Sequence, residues 1–456
     1  MTTHVRCGTL FAGNDATALK NHTLCFDERG EVTYVGPTSE APPVAAREPV
    51  LDYSNLFVMP GLQDVHTHLA YGNAKSEEDI DLYQPMEFRS LRGLFFAQKV
   101  LAAGYTSICA PGDAGQISLS VRNAINFGLF DGPRVTAAGR YLTTRQGLTD
   151  WYPTWIGVPD TSIGRLVTSK DEAIEEIRVQ VKNGVDCIKI AMDGVQTREN
   201  GELIAAFNQD ETTAMVTEAH RLGKRVVVHA RGREAILYSA HAGVDLIFHA
   251  TYLDDECLEA MVKSGTAVGP TLTFPRNIID FTQPHEPAAI KGRISDTERE
   301  YEIACVNMQK AKRAGVPMMT GTDSGFAVTP YGEWHATELE IFVRDLGFTP
   351  AEALCCATSV TSRFMTKGGK FGVLERGRFA DFIAVDGSPL ENVAILQDKQ
   401  RIRHVHIAGK RMHVPERPYD PRQVTDRSFS NWTDLYTQDR VRSLRPNRVH
   451  LAAAAE

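Results

Sequence analysis

The chain has 456 residues, 43% of them hydrophobic and 23% charged, an ordinary soluble composition long enough for one large domain and a smaller companion. A formal net charge of −8 argues against nucleic acid or an anionic membrane as a partner. No apolar run approaches the roughly 20 residues of a membrane span, and the start of the chain lacks the apolar core of a signal peptide. Its eight cysteines are scattered without a CxxC pair, so buried free thiols in a reducing cytoplasm are expected.

Residues 5–55 hold short alternating strands with turn residues, as in Glu31-Val32-Thr33-Tyr34-Val35-Gly36. From residue 56 to 371, short β-rich runs alternate with longer helical stretches. Strands are predicted at 56–59, 105–110, 134–138, 186–190, 225–229, 246–249, 267–272 and 317–322. Helices are predicted at 87–103, 170–183, 210–222, 233–242, 254–264 and 296–314, several closed by a glycine such as Gly184, Gly243 or Gly315. Eight alternations predict an α/β protein built on a closed parallel (β/α)8 TIM barrel. Residues 372–414 return to short strands, and neither flank buries a core alone. The expected domains are therefore a small β-sandwich from 1–55 plus 372–414, a barrel over 56–371, and a polar tail over 415–456. That tail carries Phe429, Trp432 and Tyr436 and suits wrapping the protein's own surface or a neighbouring subunit of a homo-oligomer.

Barrel enzymes carry reactive residues at the C-terminal ends of their strands. Here five of eight strand ends offer one. His66 and His68 follow the first strand, and residues i and i+2 of a strand share a face. Lys189 lies on the fourth strand, His229 ends the fifth, His249 ends the sixth and Asp323 follows the eighth. Each alone has an ordinary structural explanation; five at matching positions do not. Four neutral imidazoles and a carboxylate suit one or two divalent ions, zinc first, with cobalt, manganese or iron as alternatives. A protonated lysine is a poor ligand. Lys189 fits as a carbamate formed with CO2, the alternative being a cation for the substrate.

Pro60-Gly61-Leu62-Gln63-Asp64-Val65-His66-Thr67-His68 and Gly372-Val373-Leu374-Glu375-Arg376-Gly377-Arg378-Phe379-Ala380-Asp381-Phe382 resemble the opening and closing motifs of the metal-dependent amidohydrolase superfamily. His229-Ala230-Arg231-Gly232 and the run 242–249 are similar to its imidazolonepropionase- and prolidase-like branch, with phenylurea and thiocarbamate hydrolases as near neighbours. The resemblance implies a two-metal site: His66, His68 and Asp323 on one ion, His229 and His249 on the other, and carbamylated Lys189 between them. It also implies attack by metal-activated hydroxide, with Asp323 as general base and His249 as a carbonyl polariser if a single ion is bound.

The chain departs from peptidase members of that branch. The stretch 140–150 has no Gly-Gly-His, Phe248 replaces a common glutamate, and Ala191-Met192-Asp193-Gly194 replaces a threonine- and glycine-rich turn. Trp151, Tyr152 and Trp155 suggest an apolar small-molecule substrate; Arg231, Tyr252 and His335 are further substrate candidates. The reading is a hydrolase of a linear amide, urea or carbamate C–N bond. Its rivals are an Xaa-Pro or Xaa-Arg dipeptidase or carboxypeptidase, a mononuclear deaminase (disfavoured by Gly232, where that branch has glutamate) and a noncatalytic scaffold.

Overall fold

The two ends of the chain meet in one seven-stranded mixed sheet. A computed structural model describes residues 1–15, 17–285, 292–415 and 420–423. The sheet runs, edge to edge, through Lys410–Arg411, Ile402–Ile407, Phe382–Val385, Val50–Pro60, Thr3–Phe11, Ala18–Phe26 and Val32–Pro37. Its inner face packs Val5, Leu10, Leu24, Phe26, Val58 and Phe382 into a core of its own, each such side chain contributing about 1.5–3 kcal/mol by burial. The edges also approach each other. Val32 N–H donates to Arg378 O (2.7 Å) and Ala380 N–H to Gly30 O (2.7 Å). Gly30, at φ +75°, lies so close to the chain that an added Cβ would sit 2.0 Å from Ala408 O. The aromatic residues Phe429, Trp432 and Tyr436 of the predicted tail lie outside the described residues.

Between the ends, helices alternate with parallel strands. One sheet holds Leu62–Asp64, Tyr105–Ala110 and Arg134–Ala137; another runs Ala267–Gly269, Leu246–His249, Arg225–Ala230, Cys187–Ala191, Tyr141–Thr143 and Gly164–Leu166. Single hydrogen bonds link them. Asp186 N–H donates to Ala137 O (2.7 Å), Met319 N–H to Val268 O (2.8 Å) and Val65 N–H to Thr320 O (2.9 Å). The period of two divides the strand residues between two cores. Ile188, Ile190, Val226, Val228 and Ile247 pack with helix residues such as Ile177, Val216 and Ile236. Cys187, Val227, Leu246 and Phe248 pack with Val65, Cys109 and Met319. Lys189 and His229 continue that second face toward the strand ends.

Two expectations are corrected. Residues 56–59 belong to the terminal-sheet strand Val50–Pro60, and the first parallel strand is Leu62–Asp64. The apolar run is continuous across the break, so periodicity cannot locate it. The break is Gly61, where a Cβ would sit 2.1 Å from Thr106 Oγ1. The segment 317–322 contributes one isolated bridge, Met318 with Val268, rather than a regular strand. The predicted helices appear as Met86–Ala102, Lys170–Asn183, Gln209–Arg221, Arg233–Ala242, Asp255–Ser264 and Arg293–Arg313. Among the described residues no helix is long and apolar enough to cross a membrane.

Candidate metal centre

His66 and His68 leave the end of the first parallel strand on a heavily fixed segment. Thr67 N–H donates to Cys109 O (3.0 Å), His68 N–H to Ser324 O (2.8 Å) and Ser324 N–H to His66 O (3.2 Å). Buried Asp64 accepts from His66 N–H (2.8 Å) and from the Thr322 hydroxyl (2.6 Å). Asp113 takes the amides of Leu69 (3.1 Å) and Ala70 (2.8 Å). The result is that both Nε2 atoms point at one oxygen: Asp323 Oδ1 lies 3.3 Å from His66 and 3.2 Å from His68.

Two of the outer nitrogens, those of His68 and His249, are fixed too. His68 Nδ1 lies 2.6 Å from Gly112 O, which only accepts, so the proton sits on Nδ1 and Nε2 keeps its lone pair. His249 Nδ1 is 2.5 Å from Thr271 Oγ1, whose own proton goes to Pro270 O. His249 Nε2 is therefore a lone pair with no hydrogen-bond partner. That tautomer suits a ligand and leaves no proton to polarise a carbonyl. Burial first, then neighbouring basic groups, holds His66 and His249 well below the ordinary histidine value, so both are neutral.

Lys189 is 2% exposed. Its Nζ has no hydrogen-bond partner and lies 4.0 Å above the Phe248 ring. Burial pulls the amine down from 10.5 to about 7. Phe248 in turn stacks on His66, ring centroids 3.8 Å apart at 13°. It belongs to the strand interior and not to a substrate surface, because strand alternation turns it inward. The ring of His229 lies 4.5 Å from that of His249.

Four non-glycine residues around the site adopt left-handed backbone: His249 (φ 74°), Ala250 (48°), Thr271 (54°) and Asp323 (55°). Such conformations cost about 1–3 kcal/mol each and collect where a site demands them.

Trp151 Nε1–H donates to buried Asp81 (3.3 Å), Tyr152 is half-buried, and Trp155 is 84% exposed. Arg231 pairs with Glu300 Oε2 (2.5 Å), whose Oε1 accepts from the Tyr252 hydroxyl (3.0 Å). His335 is buried, with Nδ1 2.7 Å from Asp64 Oδ2. Thr271 and Asp193 were not singled out as site residues from the sequence. Asp193 Oδ1 approaches His229 Nε2 to 3.2 Å, and no local pattern announces a pair 36 positions apart.

These residues fit a divalent ion. The ligand atoms of His66, His249 and Asp323 all lie within 4.8 Å of one another. Buried Lys189 Nζ and His249 Nε2 have no partner, a condition that ordinary packing avoids. Neutral imidazoles and a carboxylate are the donor set for zinc and similar ions.

Residues 57–412 match the amidohydrolase family, and the chain belongs to that family of hydrolases acting on carbon–nitrogen bonds. Among individual proteins, it is 27% identical over 434 residues to ochratoxinase of Aspergillus niger, covering 91% of this chain and 87% of that one. It is similar to the crystal structure of a Xaa-Pro dipeptidase with bound methionine in the active site, at 26% identity and TM-score 0.78, covering 90% of this chain and 100% of that one. Molinate hydrolase shares the fold at 19% identity and TM-score 0.74, covering 92% and 98%.

Proposed function

We propose that this chain hydrolyses a linear amide, urea or carbamate C–N bond in a small, largely apolar, uncharged substrate, using one or two divalent ions, zinc first. The observation that carries this reading is the convergence of His66, His68, His229, His249, Lys189 and Asp323, with buried nitrogens left without protein partners. His66, His68 and Asp323 would hold one ion and His229 and His249 another. Lys189 as a carbamate would lie between them; an amine whose pKa falls to about 7 is largely unprotonated just above neutrality, the form that adds CO2.

Bound there, a divalent ion supplies Lewis acidity and a water acidified toward neutrality. Asp323 takes the proton of the attacking water and delivers it to the leaving nitrogen. His68 and His249 are held in one tautomer by Gly112 O and Thr271, so neither rotates out of place as charge develops. Phe248 closes the floor and keeps solvent from below Lys189.

The parallel strands, with their three linking hydrogen bonds, support a closed (β/α)8 barrel that begins at Leu62–Asp64. The approach of Gly30–Val32 to 377–380 supports a terminal sheet folded into a sandwich from 1–60 and 372–414. Eight unpaired thiols suit the cytoplasm.

An uncharged substrate is supported by the Arg231–Glu300 pair, which offsets the charge of an arginine that acts on His249. The loop with Trp151, Tyr152 and exposed Trp155 supports an aryl or alkyl group. Trp155→Ala is expected to raise KM for aryl substrates about 3- to 10-fold more than for small alkyl ones, the scale of one lost apolar contact. Equal effects on both, measured by initial rates, would detach Trp155 from the substrate.

A second reading, a dipeptidase, is favoured by the 26% identity to the Xaa-Pro dipeptidase over 90% of the chain. A panel of phenylureas, carbamates, N-acyl amino acids and dipeptides separates the two by kcat/KM. Efficient cleavage of Xaa-Pro or Xaa-Arg dipeptides with weak turnover of every neutral substrate would select the dipeptidase.

The purified protein should carry one to two divalent ions per chain by elemental analysis, and their removal should abolish turnover of the best substrate. Full activity after verified removal would end the metal reading.

A further inference from the structure

We propose that Arg89 and Arg92 form a buried receptor for one small monovalent anion of halide size, set against the loop that follows His66 and His68. Both arginines lie on the helix Met86–Ala102, three positions apart and so on one face. Arg89 is fully buried and Arg92 is 8% exposed. Their guanidinium groups converge on one oxygen: Ala70 O accepts from Arg89 Nε (3.4 Å) and from Arg92 Nη2 (3.0 Å). Their other partners among the described residues are Thr161 O (2.7 Å from Arg89 Nη1), Tyr71 O (3.3 Å from Arg92 Nη2) and the Met86 sulfur. None of these carries a charge. Arg89 Nη2 and both Nε and Nη1 of Arg92 are buried with no hydrogen-bond partner.

Two buried cations that reach the same carbonyl need a negative charge, since water satisfies N–H groups but cancels no charge. The helix adds to the need, because Arg89 closes its first turn, where the dipole already disfavours a cation. Burial, then the neighbouring Arg92, pulls Arg89 down to about 10, so it still holds its proton at neutral pH. The carboxylates that act on the pair are engaged with other donors. Asp113 takes the amides of Leu69 and Ala70 and the Ser118 hydroxyl (2.7 Å). Asp81 takes Trp151 Nε1–H and the Ile163 amide (both 3.3 Å), and Asp79 takes the Lys75 amide (3.3 Å). A small ion of single charge suits this interior, because the cost of stripping water from an ion rises steeply with its charge. Size is limited too: a Cβ at Gly72 would sit 2.0 Å from Arg92 Cζ, so the backbone lies directly against that guanidinium. The loop is gripped from two sides, its amides by Asp113 and its carbonyls by the arginines. Within it Tyr71 stacks on His68, ring centroids 4.1 Å apart at 7°. An anion that offsets the two charges strengthens this grip and stabilises the fold whether or not a metal ion is bound.

Bromide is the probe. Crystals of the wild type soaked in sodium bromide, measured at the bromine absorption edge, are expected to show an anomalous peak in contact with both guanidinium groups. In solution, bromide should raise the melting temperature by about 1–3 °C for each tenfold increase above its dissociation constant, relative to sodium gluconate at the same ionic strength. The shift should persist after chelation, which separates it from halide binding at a metal ion. Arg92→Gln, which retains an N–H donor but no charge, should lose the halide-specific shift. No peak at the arginines, or no stabilisation beyond gluconate, overturns the proposal; a peak without stabilisation marks an adventitious ion only. A shift that chelation removes, or one of equal size in Arg92→Gln, places the anion elsewhere and overturns it as well. If Arg92→Gln fails to fold, the wild-type peak and the halide shift of chelated protein decide together.

Discussion

Lys189→Met is expected to lower turnover about 10³-fold or more and, at the same time, to stabilise the metal-free protein. The first effect follows from removing the anion proposed to join the two halves of the site; a loss of about 4 kcal/mol of transition-state stabilisation gives that factor. The second follows from burial. In the chelated protein Lys189 Nζ has no hydrogen-bond partner, and its pKa falls from 10.5 to about 7. A base with a lowered folded-state pKa destabilises the fold wherever the unfolded chain holds the proton. That cost is full below pH 7, shrinks as pH rises above 7 and vanishes above the unfolded value of 10.5. Methionine, similar in length and at ease against the Phe248 ring, removes it. The chelated variant should therefore be more stable than chelated wild type by on the order of 4 kcal/mol at pH 6 and about 2 kcal/mol at pH 9. Denaturant melts at the two pH values and metal analysis of the loaded proteins check both halves. A variant that keeps its ions and its turnover would show that the lysine is no ligand. A variant no more stable than wild type after chelation would show that the buried amine carries no such cost.

The residues that could be read from sequence are those whose backbone setting is local. His66, His68, His229 and His249 each close an apolar run, so the strand that carries them predicts their placement, and the structure brings them together with Lys189 and Asp323. What could not be read is set by contacts between strands. Thr271 acts through its hydroxyl on a histidine 22 positions away, and a left-handed threonine has no sequence signature. Asp193 stands in a turn that departs from the branch, and its approach to His229 depends on where the next strand brings that histidine. Phe248 stands in place of a common glutamate, and alternation sends it inward to stack on His66. His335 sits in a stretch that follows the last strand but folds back onto Asp64, which its titratable ring pairs with at 2.7 Å. In each case the residue type was legible and its direction was not, because direction comes from register and from the partner strand. The same reason explains the shift of the first parallel strand to Leu62–Asp64: hydropathy is continuous through Gly61, and only the approach of Thr106 requires the glycine there.

Asp323→Asn is expected to lower kcat by about 10²- to 10⁴-fold, the usual range for loss of a general base, while the protein keeps its fold. Asparagine is the informative replacement because it tolerates the left-handed backbone at this position (φ 55°), which alanine would strain. The Asp323 side chain is 15% exposed, so it meets solvent as well as His66 and His68. Its Oδ1 lies 3.3 and 3.2 Å from their Nε2 atoms. An amide oxygen can still ligate there but brings no charge, so the affinity of that ion should fall together with kcat. The two contributions separate under saturation. At metal concentrations that restore full occupancy, a ligand-only role predicts recovery of kcat, whereas a proton-shuttle role predicts that the deficit remains. Metal-saturated Asp323→Asn with wild-type kcat would assign the proton transfer to another group.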